Sequence, residues 1–91
     1  MSTYLPTLKQ LQYLVALEEQ GHFGKAAEAC HVSQPTLSVA VKKLEEELDL
    51  KLFERSANEV TVTPLGAEVV RQAQTVLEQA AGIREIAKRG K

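Results

Sequence analysis

Apolar residues recur at helical spacing in the first segment of the chain, and a helix-starting pattern precedes them. Thr7 is followed three residues later by Gln10, which is the capping-box pattern of a helix N-terminus. Gly21, a residue type that often ends helices, closes the segment. We therefore predict a first helix from Thr7 to about Gly21. Its apolar stripe is formed by Leu8, Leu11, Leu14, Val15 and Leu17.

The next segment divides into two helices joined by a tight connection. An alanine-rich stretch from Gly24 to Cys30 predicts a short second helix. Ser33 is of the residue type that caps helix N-termini, and Pro35 fits the first turn of a helix, so a third helix begins there. This third helix has one apolar face at spacings of four, three and four residues, formed by Leu37, Val41, Leu44 and Leu48.

The remaining residues predict a hairpin and a long helix. Residues Lys51 to Arg55 and Val60 to Thr63 are expected to form two short strands around a turn over residues 56–59. Thr63 followed by Pro64 then starts a helix that runs to about Arg89. The predicted fold class is mainly α, with three helices and a β-hairpin followed by a long C-terminal helix. We predict residues 1–63 as the domain and residues 64–91 as the dimerisation or linker helix.

The composition limits the function classes. The 91 residues suit one small domain, and 44% hydrophobic with 25% charged residues is ordinary for a globular protein. No apolar run is long enough for a membrane span, and the N-terminus lacks a signal-peptide pattern. The single cysteine, Cys30, allows no internal disulfide. We therefore expect a cytoplasmic protein. The net charge of −1, from 11 basic and 12 acidic residues, does not by itself indicate nucleic acid.

The segment from Phe23 to Lys42 has the physical signature of a helix-turn-helix, in which two short helices cross closely and the second keeps its outer face free. The inward positions are apolar, and Ala27 is a small residue at the crossing. Those inward residues are Ala26, Cys30, Val32, Leu37 and Ala40. His31 occupies the turn position where glycine is common.

The start of the third helix carries a dense set of hydrogen-bonding side chains, which indicates contact with DNA. They are Ser33, Gln34, Thr36 and Ser38, with Lys42 and Lys43 further along the helix. Glutamine can make a bidentate contact to adenine, hydroxyls can serve several bases, and lysine suits phosphates. A helical protein-interaction module remains the alternative, because amphipathic helices alone do not specify DNA.

Several motifs resemble the LysR-type transcriptional regulators, in the family's order and spacing from Thr7 onward. The main motif runs from Phe23 to Ser38, and the later ones are Lys43 to Glu45, Leu52 to Arg55 and Val62 to Gly66. Within that family, the stretch from Cys30 to Ser38 is similar to the peroxide-sensing OxyR branch. A LysR-type regulator of another, metabolite-responsive regulon is the alternative.

The resemblance implies a winged helix-turn-helix whose second motif helix enters the major groove and whose hairpin wing reaches the DNA backbone or the minor groove. It also implies an antiparallel helix pair that joins two protomers. When the family's positions are carried over to this chain, the residues that read bases are Gln34, Pro35, Thr36, Ser38 and Val39. The backbone contacts are Ser33, Lys42, Lys43 and Arg55. Val39 stands where members often carry a polar residue, which favours contact with a thymine methyl group. Asn58 stands where the wing often carries a second arginine, which argues against minor-groove insertion.

The last helix has an apolar seam that alternates spacings of four and three, as in coiled coils. Its members are Val69, Ala73, Val76, Ala80, Ile83 and Ala87. Because the helix is too long to be covered by so small a body, we predict that it joins two protomers; an intramolecular seam is the alternative. Val70 and Leu77 lie on a neighbouring strip that can rest on the domain.

No enzymatic, metal or cofactor site is expected. Adjacent side chains such as Cys30 and His31 diverge on a helix, and no matching spacing completes a metal site, so Cys30 is interpreted as a buried structural thiol. The family's peroxide-sensing cysteines lie in a second domain, so Cys30 does not inherit that role. The acidic run from Glu45 to Glu47 is interpreted as a solvated face, with ion pairs to the first helix or another protomer as an alternative.

These inferences together predict a sequence-specific DNA-binding domain that binds a two-fold symmetric operator on double-stranded DNA as a homodimer, in an OxyR-like activator of oxidative-stress genes. A tetramer is compatible with the full-length protein. Family members carry an effector domain after the last helix, so we expect this chain to be a piece of a longer protein.

Overall fold

The structure is a computed structural model that describes residues 3–57 and 59–91. In those residues the elements follow the predicted order of three helices, a hairpin and a long helix. The helices are α1 (Leu8–Gln20), α2 (Phe23–Ala29), α3 (Gln34–Leu48) and α4 (Pro64–Arg89), and the strands are β1 (Phe53–Ser56) and β2 (Glu59–Val62). No helix of the described residues combines the length and apolar content that crossing a membrane requires.

Helix α1 has the predicted start and end. The Thr7 hydroxyl accepts from the Gln10 backbone N–H at 3.1 Å, and the Gln10 side chain accepts from the Thr7 N–H at 2.8 Å. This reciprocal pair is the capping box. At the other end Gly21 adopts φ 64°, and its N–H donates to the Leu17 carbonyl at 2.9 Å. Both predictions are confirmed.

The start of α2 was predicted one residue late. The ring Nδ1 of His22 accepts from the Lys25 backbone N–H at 3.2 Å, so His22 is the N-cap and Phe23 is the first helical residue. Histidine is not among the preferred capping residues, which is why the pattern did not reveal it. His31 adopts the left-handed φ of 59° in the turn, which explains why glycine is common at this position.

The core lies where α1 crosses the other helices. Leu14 and Leu17 of α1 are fully buried, as are Leu37 and Leu44 of α3. The predicted stripe of α3 is therefore the core face, although Leu48 at its end is only half-buried. Ala26 and Ala27 are buried between the helices, and their small side chains allow the close crossing of α2.

The hairpin is antiparallel and begins two residues later than predicted. Phe53 pairs with Val62, and Ser56 pairs with Glu59. At the start of the strand, Glu45 Oε2 accepts from the N–H of Leu52 at 2.9 Å and from that of Phe53 at 3.2 Å. The interpretation of Glu45 as a solvated residue is therefore wrong. Its carboxylate links the start of the hairpin to α3 through these two hydrogen bonds.

Helix α4 starts in close contact with the hairpin. The Thr63 hydroxyl donates to the Lys51 carbonyl at 2.7 Å and accepts from the Gly66 N–H at 2.9 Å. A Cβ at Gly66 would overlap the Leu52 carbonyl oxygen, so only glycine allows this approach. Farther along, the helix leaves the body, and Ile83 and Ile86 are 70% and 61% exposed.

Candidate nucleic-acid interface

Helix α3 presents an exposed face opposite its buried stripe. Val39 is 66% exposed, and Lys42 lies exposed on the same side. Pro35 and Lys43 are exposed as well. Because successive helical residues rotate by about 100°, Pro35, Val39 and Lys42 point away from the core. This face offers an apolar contact beside a cation.

The two hydroxyls at the start of α3 are partly occupied by each other. Ser33 Oγ lies 2.8 Å from Thr36 Oγ1 and accepts from the Thr36 backbone N–H at 3.3 Å. The pair shares one hydroxyl hydrogen, so the other remains able to donate to an external acceptor. Ser33 therefore caps the helix. The phosphate contact predicted for its side chain depends on the hydroxyl hydrogen that the Ser33–Thr36 pair leaves free.

Gln34 and Ser38 occupy the flank of α3 that faces the wing. They line a groove of about 270 Å³ together with residues of α2 and the hairpin. Gly24 lies close to this groove, and a Cβ there would make a tight contact of 3.0 Å with the His22 ring. The predicted base-reading residues are thus divided between an outer face, at Pro35 and Val39, and this groove.

Arg55 lies on β1, exposed, with its guanidinium carbon 4.6 Å from the centroid of the Phe23 ring. This distance is within cation–π range. The contact ties the wing to α2, and the sequence patterns did not indicate it. The predicted wing position Asn58 lies outside the described residues.

Among the described residues, the basic side chains near α3 have no carboxylate oxygen within 4.0 Å. In the described part of the chain the single ion pair is Lys88 with Glu85, 3.6 Å apart on α4. Lys42, Lys43 and Arg55 are thus charged groups available to an external anion.

The six seam residues of α4 fall into two groups. Ala73 is 1% exposed and belongs to the core of its own chain, while Val69 and Val76 are half-buried against that core. Ala80 is half-buried, and Ile83 and Ala87 are exposed. The intramolecular alternative therefore applies to the first half of the helix, and Ala73 is unavailable to a partner. Val70 and Leu77 pack on the body as predicted.

Cys30 is half-buried rather than fully buried, and it packs against the core. Burial raises the pKa of its thiol, with a smaller opposing effect from the charge of Lys9. A thiol with a raised pKa is a weak nucleophile. Among the described residues no three histidine, cysteine or carboxylate side chains come together to hold a metal.

Residues 8–67 match the family described as "Bacterial regulatory helix-turn-helix protein, lysR family". The chain belongs to the LysR family. It is 49% identical over 80 residues to the "DNA-binding transcriptional dual regulator OxyR" of Escherichia coli, which covers 88% of this chain and 26% of that protein. The chain thus spans about a quarter of the length of the curated relatives it matches.

Solved structures of this family confirm the winged helix-turn-helix. A full-length OxyR variant from Pseudomonas aeruginosa superimposes with a TM-score of 0.88 at 62% identity, covering 93% of this chain and 29% of that chain. The BenM DNA-binding domain, solved in complex with DNA of a benA site, gives a TM-score of 0.85 at 36% identity, covering 91% of this chain and 93% of that chain. The domain therefore has the predicted fold. It is also similar to OxyR, as predicted.

Proposed function

We propose that this chain is the sequence-specific DNA-binding part of an OxyR-like transcription regulator. The observation that carries the proposal is the exposed face of α3, where Val39 is 66% exposed beside lysines that form no ion pair among the described residues. An apolar side chain held in solvent next to cations suits a major groove, which offers thymine methyl groups between phosphates. The likeness to the BenM domain that was solved in complex with DNA supports DNA binding by this domain.

The base-reading side chains are proposed to be Gln34, Pro35, Thr36, Ser38 and Val39, and the backbone contacts Ser33, Lys42, Lys43 and Arg55. Gln34 lies in the first turn of α3, whereas Lys42 lies two turns later. In helix-turn-helix proteins the N-terminal residues of the recognition helix contact base edges. The lysines farther along the helix then suit the phosphates at the groove wall.

A homodimer through α4 is proposed, with residues 1–63 as the DNA-binding unit and residues 64–91 as the dimerisation helix. The exposed Ile83 and Ile86 support it, because two large apolar side chains three residues apart form a patch on one side of the helix. Two protomers joined in this way match a two-fold symmetric operator. The whole protein is proposed to be a cytoplasmic activator of peroxide-inducible genes, as the names of its relatives suggest.

The test is a fluorescence-anisotropy titration of the chain on two labelled duplexes at two salt concentrations. One duplex is selected by the chain from a randomised pool, and the other contains the same bases in scrambled order. We expect tighter binding to the selected duplex, and affinity for both that falls as salt rises. A protein-interaction module would bind neither duplex, and that result would overturn the proposal.

A further inference from the structure

Arg55 and Phe23 form a contact between the hairpin and α2. Phe23 is the first residue of α2, and its half-buried ring packs against the hydrophobic core. Arg55 belongs to a two-stranded hairpin and is exposed. The guanidinium carbon lies 4.6 Å from the ring centroid, so a ring that packs on the core contacts a cation that is otherwise exposed.

The pairing register shows from which face of the wing Arg55 projects. Arg55 lies directly opposite Val60, and Phe53, two residues before it, lies opposite Val62. Because side chains two residues apart share one face of a strand, Arg55 and the buried Phe53 project from the same face. Arg55 therefore extends the inner row of the hairpin, on the side turned toward the domain.

This inner position brings Arg55 to the start of the third helix. Arg55 and Phe23 line the same groove as Gln34 and Ser38, and the groove measures about 270 Å³. Glu59 also lines it, but in the described residues no carboxylate lies within ion-pair distance of Arg55. The groove therefore holds a guanidinium that forms no ion pair in the described part of the chain, beside two of the proposed base-reading side chains.

We propose that Phe23 is a positioning residue for DNA binding, whose ring holds Arg55 between α3 and the wing so that the guanidinium binds a DNA phosphate there. The inference rests on the proposed function. A guanidinium stacked on a ring keeps its N–H groups in its own plane, and they remain free for a bidentate contact with phosphate. Stacking also restricts a long side chain before DNA arrives, which reduces the entropy lost on binding.

The experiment compares affinity and its salt dependence on the selected duplex for the parent, Phe23→Leu, Phe23→Tyr, Arg55→Gln and the double variant Phe23→Leu/Arg55→Gln. Arg55→Gln should weaken binding about tenfold and reduce the slope of log affinity against log salt by roughly 0.9. Phe23→Leu should weaken binding about two- to fivefold. Phe23→Tyr, which keeps the ring, should bind like the parent, and the double variant should bind like Arg55→Gln.

Controls separate positioning from a general effect on the fold. Thermal unfolding without DNA identifies any variant that loses structure. Arg71→Gln removes an equal charge from α4, in a groove that contains no residue of α3, and should keep the parent's slope more closely than Arg55→Gln. Arg55→Lys keeps the charge but loses the planar stacking group, so it should weaken binding severalfold even if Phe23→Leu does not fold.

The proposal is overturned if Phe23→Leu weakens binding equally with and without Arg55, or if Arg55→Lys and Phe23→Leu both bind like the parent. Either result leaves the proposed function intact, provided that the parent prefers the selected duplex and loses affinity with salt. A parent that binds neither duplex instead rejects the proposed function, and the positioning role with it.

Discussion

Helices α3 and α4 begin alike and differ in how their apolar stripes are covered. A hydroxyl residue caps each, and a proline follows in the first turn: Ser33 and Pro35 for α3, Thr63 and Pro64 for α4. The stripe of α3 is covered by its own chain up to Leu44, whereas α4 leaves Ile83 70% exposed. Two helices of similar amphipathic pattern thus serve different purposes, because one completes a core and the other extends beyond it.

The largest effect on the free energy of unfolding is expected for a substitution in the core face of α3. Leu44→Ala removes a side chain that is fully buried, and we expect it to lower the free energy of unfolding by about 2–5 kcal/mol. The matched variant Ile83→Ala, measured at a concentration where the chain is monomeric, should stay within about 0.5 kcal/mol of the parent. Denaturant unfolding measures both. A similar loss for the two variants would mean that α4 is packed as tightly as α3.

For association of two protomers, in contrast, a large effect is expected in the exposed half of α4. Ile83→Asp places a charge where a dimer would bury it, so the variant should sediment as a monomer while the parent sediments as a dimer. Gln74→Asp is the control, since nine residues at about 100° each place it on the opposite side of the helix. A monomeric parent, or a dimer unaffected by Ile83→Asp, would remove α4 as the proposed interface.

A smaller effect is expected at the turn that sets the position of α3. His31 adopts φ 59°, a conformation unfavourable for side chains with a Cβ, so His31→Gly should raise the free energy of unfolding by about 0.5–1 kcal/mol. Ala29→Gly, at a right-handed helical residue just before it, should instead lower it by a comparable amount. Thermal melting of both variants checks the prediction. A loss of stability in His31→Gly would show that the imidazole contributes more than the backbone strain removes.

The sequence predicted those features that depend on residues close together along the chain. The capping box at Thr7, the end at Gly21 and the start at Ser33 follow from local hydrogen bonding, and each is present. The motif spacing likewise predicted the winged helix-turn-helix and its likeness to OxyR.

The features that the sequence patterns did not indicate depend on contacts between different elements of the fold. Glu45 reaches the amides of Leu52 and Phe53 only after the hairpin has folded back onto α3. A run of three glutamates gives no sign that one of them faces inward. Ala73 fits an intermolecular seam by spacing, but its burial depends on where α1 packs. Periodicity defines a stripe, and tertiary packing decides what covers it.

The most direct test of the central claim compares Gln34→Ala with Lys42→Ala on the selected and scrambled duplexes, with a melting curve for each. If α3 recognises sequence, Gln34→Ala should lose about 1–3 kcal/mol on the selected duplex and much less on the scrambled one. Lys42→Ala should weaken binding to both by similar factors, because a phosphate contact does not depend on sequence. An equal loss on both duplexes for Gln34→Ala would contradict its role in sequence recognition.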